Sequence, residues 1–221
     1  MSHPFDHIDD ETIIDDISGL IPDIGTRREL NAQEAANVRD AVLEYFGDPV
    51  VPPDGAEFDF TWMRAVHKAM FGKVWRWAGT RRNCNLNIGV EWIHIEAHLL
   101  DLCESIPYFL TTKRLPSQPL TDTDGDRSQA MKDIAHLHYQ LVRIHPFLNG
   151  NGRWSRFVSN IYQLRFTNTF TRWPDELVGK SGETSPLRAG YIEAMKAVDA
   201  KADNLARLAA LHDRFTPKPD L

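Results

Sequence analysis

Three observations predict a mainly α-helical fold with one small β-hairpin for this 221-residue chain. Apolar side chains recur three and four residues apart in segment after segment, the spacing that lines one face of a helix. Proline- and glycine-rich breaks such as "GDPVVPPDG" separate those segments. One stretch alone, around Leu86 to Ile95, shifts to a shorter period that suits extended chain.

Residues 1–20 are polar and acidic and are predicted to form a mobile arm. A single domain then spans 21–214, with its core at 58–210, and a tail occupies 215–221. The first helix is predicted over Glu29 to Phe46, with Leu30, Val38, Val42 and Tyr45 or Phe46 on its apolar face. The second covers Phe58 to Phe71 and aligns Phe60, Met63, Val66, His67 and Met70. The hairpin is placed around Gly89, and "EAHLLDLCESIPYFL" returns to helix. After the exposed linker "PSQPLTDTDGDRSQ", a helix from Ser128 to Ile144 carries Ile134, Leu137 and Leu141. It must stop at His145, because a proline disfavours the α conformation for the residue before it. Another begins near Arg153 with Phe157, Ile161 and Leu164, and one or two helices over Arg188 to His212 close the domain.

Composition narrows the function. A hydrophobic share of 42% suits a fold that buries a core, and a net charge of -6 argues against a protein built to coat nucleic acid. No apolar run reaches the ~18 to 20 residues that span a bilayer, and "MSHPFDHIDDETIIDD" is acidic where a signal peptide is basic. The expectation is a cytoplasmic protein, with no membrane partner and with Cys84 and Cys103 as free thiols.

The chemistry concentrates in "RIHPFLNGNGRWSR", Arg143 to Arg156. Two glycines and a proline in so short a run would cost a helix several kcal/mol, at roughly 1 per Gly and 3 per Pro, so a loop is expected. A glycine loop feeding a helix start gathers backbone N–H groups and the positive helix end at one point, which suits an anion. Arg153 and Arg156, three apart, lie on one helical face, and two guanidinium forks point to a polyphosphate. His145 ends the preceding helix, where partial negative charge makes imidazole a stronger base. General base catalysis is worth about a hundred- to ten-thousandfold in rate. "HPF" also occurs at His3 to Phe5, with no glycine loop or arginine pair after it, and carries no function there.

"HPFLNGNGRWSR" resembles the Fic family signature, His-Pro-Phe, two residues, Gly-Asn-Gly-Arg, two residues, Arg. "MFGKVWRWAGTRR", Met70 to Arg82, is similar to the segment that precedes the family's β-hairpin flap. With "TRRELN" and "NIGV", the pattern most resembles the subgroup called mobile mystery protein B, over about residues 20 to 210. The resemblance implies a Fic-type helical bundle and a protein adenylyltransferase, which moves AMP from ATP onto a hydroxyl of a target protein. It implies His145 as base, Phe147 as anchor of the loop and Gly150, Asn151 and Gly152 as phosphate ligands. Arg153 and Arg156 would hold and support the outer phosphates. Asn87, Ile88, Gly89 and Val90 would form the flap that aligns an extended target segment by strand addition.

Two departures qualify what is implied. The position four after the histidine, an Asp or Glu that binds Mg²⁺ in the family's common pattern, is Asn149 here, and an uncharged amide ligates a hard cation more weakly. This leaves open a transferase of another group (phosphate, UMP or GMP), or a nucleotide-binding protein without catalysis. No copy of the family's inhibitory pattern, Ser or Thr, three residues, Glu, then Gly or Asn, occurs in the chain. Control would then lie with a separate, antitoxin-like partner protein or with an atypical residue, for which Glu34 is the candidate. The spacing of His94 and His98 and the "DTDGDR" run are read as ordinary surface, not metal sites. His136 and His138 face different sides of their helix, and His138 is assigned to packing.

Overall fold

The computed structural model describes residues 18–47, 59–112, 125–167, 169–174, 177, 185–201 and 204–218. Most of the predicted arm and residues 116–124 of the linker lie outside the described residues, and the rest of the linker, 125–129, is helical, so the helix predicted from Ser128 begins at Gly125. In order, the helices are α1 (Arg27–Phe46), α2 (Phe60–Phe71), α3 (Ile95–Thr112), α4 (Gly125–Ile144), α5 (Asn151–Thr167), α6 (Pro186–Ala200) and α7 (Leu205–Phe215). The mainly helical class is as predicted. None of these helices is long and apolar enough to cross a membrane. The chain divides into two compact units, Met1–Glu104 with Val142–Trp154, and Ser105–Leu141 with Ser155–Leu221.

In the first unit, α1 starts on a capping box. The Thr26 hydroxyl accepts from Glu29 N–H at 3.2 Å, and the Glu29 carboxylate accepts from Thr26 N–H at 3.0 Å. Its buried residues are Leu30, Glu34, Asn37 and Ala41, whereas Val42 is 40% exposed. The predicted apolar face is therefore corrected: α1 turns two polar residues inward because each has work at α2 and beyond. Asn37 donates to Ala69 O at 2.7 Å and accepts from Lys73 N–H at 2.9 Å, which satisfies backbone groups at the end of α2. α2 is capped by Asp59, which accepts from Trp62 N–H at 2.7 Å, and it buries Met63, Val66, His67, Met70 and Phe71.

The predicted hairpin is the second correction. Among the described residues the one β contact is an isolated antiparallel bridge between Leu20 and Trp75, and 83–91 is an irregular loop ending in a short 3-10 turn, Trp92–His94. The reason is local. The buried Arg82 guanidinium donates to the carbonyls of Cys84, at 2.7 Å, and of Val90, while Asn85 Oδ1 accepts from Trp92 N–H at 2.9 Å. Side chains thus take groups that a ladder would pair.

In the second unit α6 packs against α7, and Met131, Ile134 and Ala135 of α4, Val158 and Ile161 of α5 and Leu208 of α7 are buried. Ser185 caps α6 by accepting from Arg188 N–H at 3.1 Å, with Pro186 at the first helical position. Arg127 ties the start of α4 to the end of α7, donating to Asp213 Oδ1 at 2.6 Å and to Thr216 O at 3.2 Å.

Candidate active site

α4 ends at Ile144, as Pro146 requires, and His145 takes a left-handed conformation at φ 52°. It is the one non-glycine residue with positive φ among the described residues. That conformation costs roughly 1 to 2 kcal/mol and persists only where neighbours hold it. Two neighbours do. Arg82 donates from Nε to His145 O at 2.7 Å, and its own N–H donates to Pro146 O at 2.9 Å. Gly89, at φ 97°, lies so close that an added Cβ would stand 2.5 Å from His145 Cβ. Only glycine allows loop 83–91 to lie against the histidine.

The His145 ring is buried. Nδ1 lies 3.2 Å from Val142 O, a carbonyl that can only accept, so the proton sits on Nδ1 and the Nε2 lone pair is the basic one. Burial pushes its pKa down to about 4, against the raising effect of the Val142 hydrogen bond, and the Arg82 charge lowers it further. The imidazole is therefore neutral in the physiological range, and burial makes it a weaker base than its place at a helix end predicts, which corrects that expectation.

The loop beyond it is shaped by the chain's own amides. Asn151 accepts from Phe147 N–H at 2.9 Å and donates to Phe147 O at 2.8 Å, so its side chain is engaged in closing the turn. Asn149 Oδ1 accepts from Gly150 N–H at 2.6 Å. Gly150 has φ 77°, and a Cβ there would meet the Phe71 ring at 2.7 Å. Phe147 is fully buried, stacked on His67 with centroids 3.7 Å apart and meeting Trp154 edge-on at 4.9 Å. Trp154 Nε1 donates to Met63 O at 2.9 Å and holds the first turn of α5 on α2.

His67 is a site residue that sequence periodicity assigned only to packing. Gly79 N–H donates to its Nδ1 at 3.0 Å, which puts the ring proton on Nε2, and Nε2 donates to Asn149 O at 3.0 Å. Complete burial lowers its pKa to about 3 despite that bond, and the Arg153 charge adds to the lowering. The ring joins the Trp-Ala-Gly segment to the loop. A hint was available: a histidine among Met63, Val66 and Met70 must find two polar partners inside. Arg82 gave no such hint, because Arg81 beside it is the same residue.

Arg153, in the first turn of α5, meets Glu34. Nη1 lies 2.6 Å from Glu34 Oε2, and the guanidinium stands 4.7 Å over the Phe71 ring. Glu34 is buried, and its other oxygen accepts from Trp75 Nε1 at 2.7 Å. Glu34 thus engages the first motif arginine rather than the second. Arg156 is described with the second unit, where its guanidinium lies 5.9 Å from the Tyr191 ring centre. Asn87, Ile88 and Gly89 are exposed on loop 83–91, and Val90 N–H donates to Arg143 O at 3.2 Å.

As a metal site the loop is poor. Position 149 supplies a neutral amide whose oxygen already serves Gly150 N–H, and no cluster of three His, Cys, Asp or Glu is found among the described residues. A resident Mg²⁺ does not fit these donors.

A sequence profile of the Fic/DOC family matches residues 57–163. The curated sequence named probable protein adenylyltransferase y4lH, from Sinorhizobium fredii, is 28% identical over 158 residues, 72% of each chain. Among solved structures, BepC from Bartonella tribocorum with bound AMPPNP superposes with a TM-score of 0.64 at 16% identity, over 89% of this chain and 90% of that one. Fic-1 from C. elegans (residues 134–508, E274G) gives 0.59 at 20% identity, over 87% of this chain and 51% of that one. These structures share the fold.

Proposed function

Since residues 57–163 form a domain of the Fic/DOC family, we propose that this protein is an adenylyltransferase that moves AMP from ATP onto a hydroxyl side chain of a target protein. The observation that supports the proposal is the His145 ring, which spends its Nδ1 proton on Val142 O and so carries its basic lone pair on Nε2. In the reaction the target's Ser, Thr or Tyr hydroxyl gives its proton to His145 Nε2 while its oxygen attacks the α-phosphorus. The bond from that phosphorus to the β-phosphate oxygen breaks, and pyrophosphate leaves. Arg153 and the backbone of Asn151 and Gly152 would hold the phosphates, with Arg156 in support, and Gly150 N–H would join them on release from Asn149 Oδ1. Asn151 contributes through its backbone, since its amide side chain holds the turn. Exposed Asn87 to Gly89 would receive an extended target segment, by contact with a fixed loop.

The test is incubation of a cytosolic lysate with ATP labelled on the α-phosphate. Wild type is expected to label protein, and His145→Ala to lose at least about a hundredfold of that rate while keeping the fold. Label entering from the γ-phosphate instead would move the reading to phosphate transfer, and equal labelling by wild type and variant would remove His145 as base.

Glu34 would act as the internal competitor for Arg153, alongside any separate inhibitory protein, because it occupies guanidinium donors and offsets the charge that a phosphate would use. Glu34→Gln keeps an acceptor for Trp75 and removes the charge. Its ATP affinity, measured by calorimetry, is expected to rise about tenfold, on the scale of one charge-assisted hydrogen bond. An unchanged affinity would show that the ion pair is only structural.

A further inference from the structure

Apart from the loop, the second unit holds a buried polar chain that the reaction above does not use. Its members are Thr216, Gln163, Thr171, His212, His138 and Tyr191, and it ends at Arg156. All of the first six are buried, and each contact is 2.7 to 3.1 Å long. The positions of the protons follow from one end. Thr216 donates its hydroxyl proton to His212 O at 2.7 Å and accepts from Gln163 Nε2 at 3.0 Å. Gln163 Oε1 accepts the Thr171 proton at 2.8 Å.

With its own proton used, Thr171 can only accept from His212, 3.0 Å away, so the His212 proton is on Nδ1. His212 Nε2 is then an acceptor, and His138 Nδ1, at 3.0 Å, must donate to it. His138 Nε2 is left to accept from the Tyr191 hydroxyl at 3.1 Å. The tyrosine oxygen, its proton committed, turns its lone pairs outward, and Arg156 is the group that hydrogen-bonds to it. A guanidinium can only donate, so the last link agrees with the direction derived from the far end.

Both rings must be neutral for this order. Burial drives His212 to about 3, and it holds His138 well below its ordinary value, with the neighbouring His212 and Arg156 charges acting in the same sense. Trp173 closes over the pair, its ring centre 4.7 Å from His212 and 5.4 Å from His138. Packing alone does not require two histidines, a tyrosine, two threonines and a glutamine in one row. A fully satisfied row rigidifies whatever stands at its end.

We propose that Tyr191, His138 and His212 are positioning residues for Arg156: a one-way hydrogen-bond chain anchored at Thr216 presents a tyrosine lone pair to the guanidinium and fixes its orientation. This rests on the reading of Arg156 as a phosphate ligand. The predicted assignment of His138 to packing is extended accordingly.

Tyr191→Phe removes one oxygen and keeps the ring. Wild type and variant are compared by calorimetry with ATP and with adenosine. ATP affinity is expected to fall about tenfold in the variant, the scale of a hydrogen bond to a charged group, while adenosine affinity stays unchanged. Nitrogen-15 spectra of the wild-type imidazoles are expected to place the proton of both His138 and His212 on Nδ1, a reading independent of any variant's folding. Equal ATP affinity in Tyr191→Phe, or a proton on His138 Nε2, overturns the inference alone. An equal fall for ATP and adenosine also overturns it, by reducing the chain to general packing. Failure of wild type to bind ATP overturns the nucleotide reading and this inference with it, even with both tautomers as assigned.

Discussion

Arg82→Ala is expected to lose target labelling to the level of His145→Ala and to lower the thermal midpoint by about 10 °C. The guanidinium donates to four carbonyls, those of His145, Cys84, Val90 and, at 3.5 Å, Ile144. Each carbonyl left dry and unpaired costs about 1 to 3 kcal/mol. Cys84 and Val90 lie on the open loop and can take water instead. The dry ones belong to the helix end and the strained histidine, and relief of guanidinium burial offsets part of their loss. The balance is about 2 to 4 kcal/mol, and for a chain of this size 1 kcal/mol moves the midpoint by about 2 to 4 °C. The larger effect is on function: without its carbonyl tether His145 relaxes from φ 52°, and the ring loses its fixed orientation on Val142 O. Arg82→Lys should recover some stability and little activity, since an ammonium cannot reach carbonyls that a planar fork spans. A calorimetric scan with the α-label assay checks both, and an alanine variant that labels like wild type would refute the role.

Stability is expected to fall steeply between pH 7.5 and pH 5.5. Among the described residues four histidines are buried: His67, His138, His145 and His212. In the folded state burial holds His67 and His212 near 3 and His145 near 4, with His138 also well lowered. In the unfolded chain each returns to about 6.5. Below that value the unfolded chain binds protons that the folded one cannot, so stability is complete above pH 6.5 and declines as pH drops towards the folded values. One pH unit under 6.5 the loss is about 1.4 kcal/mol per histidine. Four together remove about 5 kcal/mol from a total that is typically about 5 to 15. Carboxylates whose pKa is lowered on folding, such as Glu29 and Asp40, remain ionised at pH 5.5 in both states and do not blur this window. Urea unfolding at the two pH values measures the difference, and a flat profile would mean that these rings are already hydrated or charged in the native protein.

Backbone rules made much of this legible from sequence. Pro146 set the end of α4, the glycines set the turn, and apolar spacing located α2, α4 and α5 within a few residues. What was missed depends on partners distant in the chain. Leu86, Ile88 and Val90 alternate as a strand should, yet the segment is a loop because Arg82 consumes its carbonyls, and nothing local distinguishes Arg82 from Arg81. α1 looked apolar along Val38 and Val42, but it buries Glu34 and Asn37, whose partners on Arg153 and at the end of α2 come from far downstream. His67 and His138 sat correctly on inward faces; their roles as links between backbone and side-chain groups required coordinates. A buried polar residue is chosen by what waits for it, and periodicity registers only that it points inward.

The Asn151 amide, bonded to both the N–H and the carbonyl of Phe147, means that a nucleotide meets a mould already cast. No ordering entropy is left to be spent there on arrival. Under the proposed competition, capture speed would be governed by how quickly Glu34 swings off Arg153, so one departing carboxylate would set the tempo rather than the folding of a phosphate cradle.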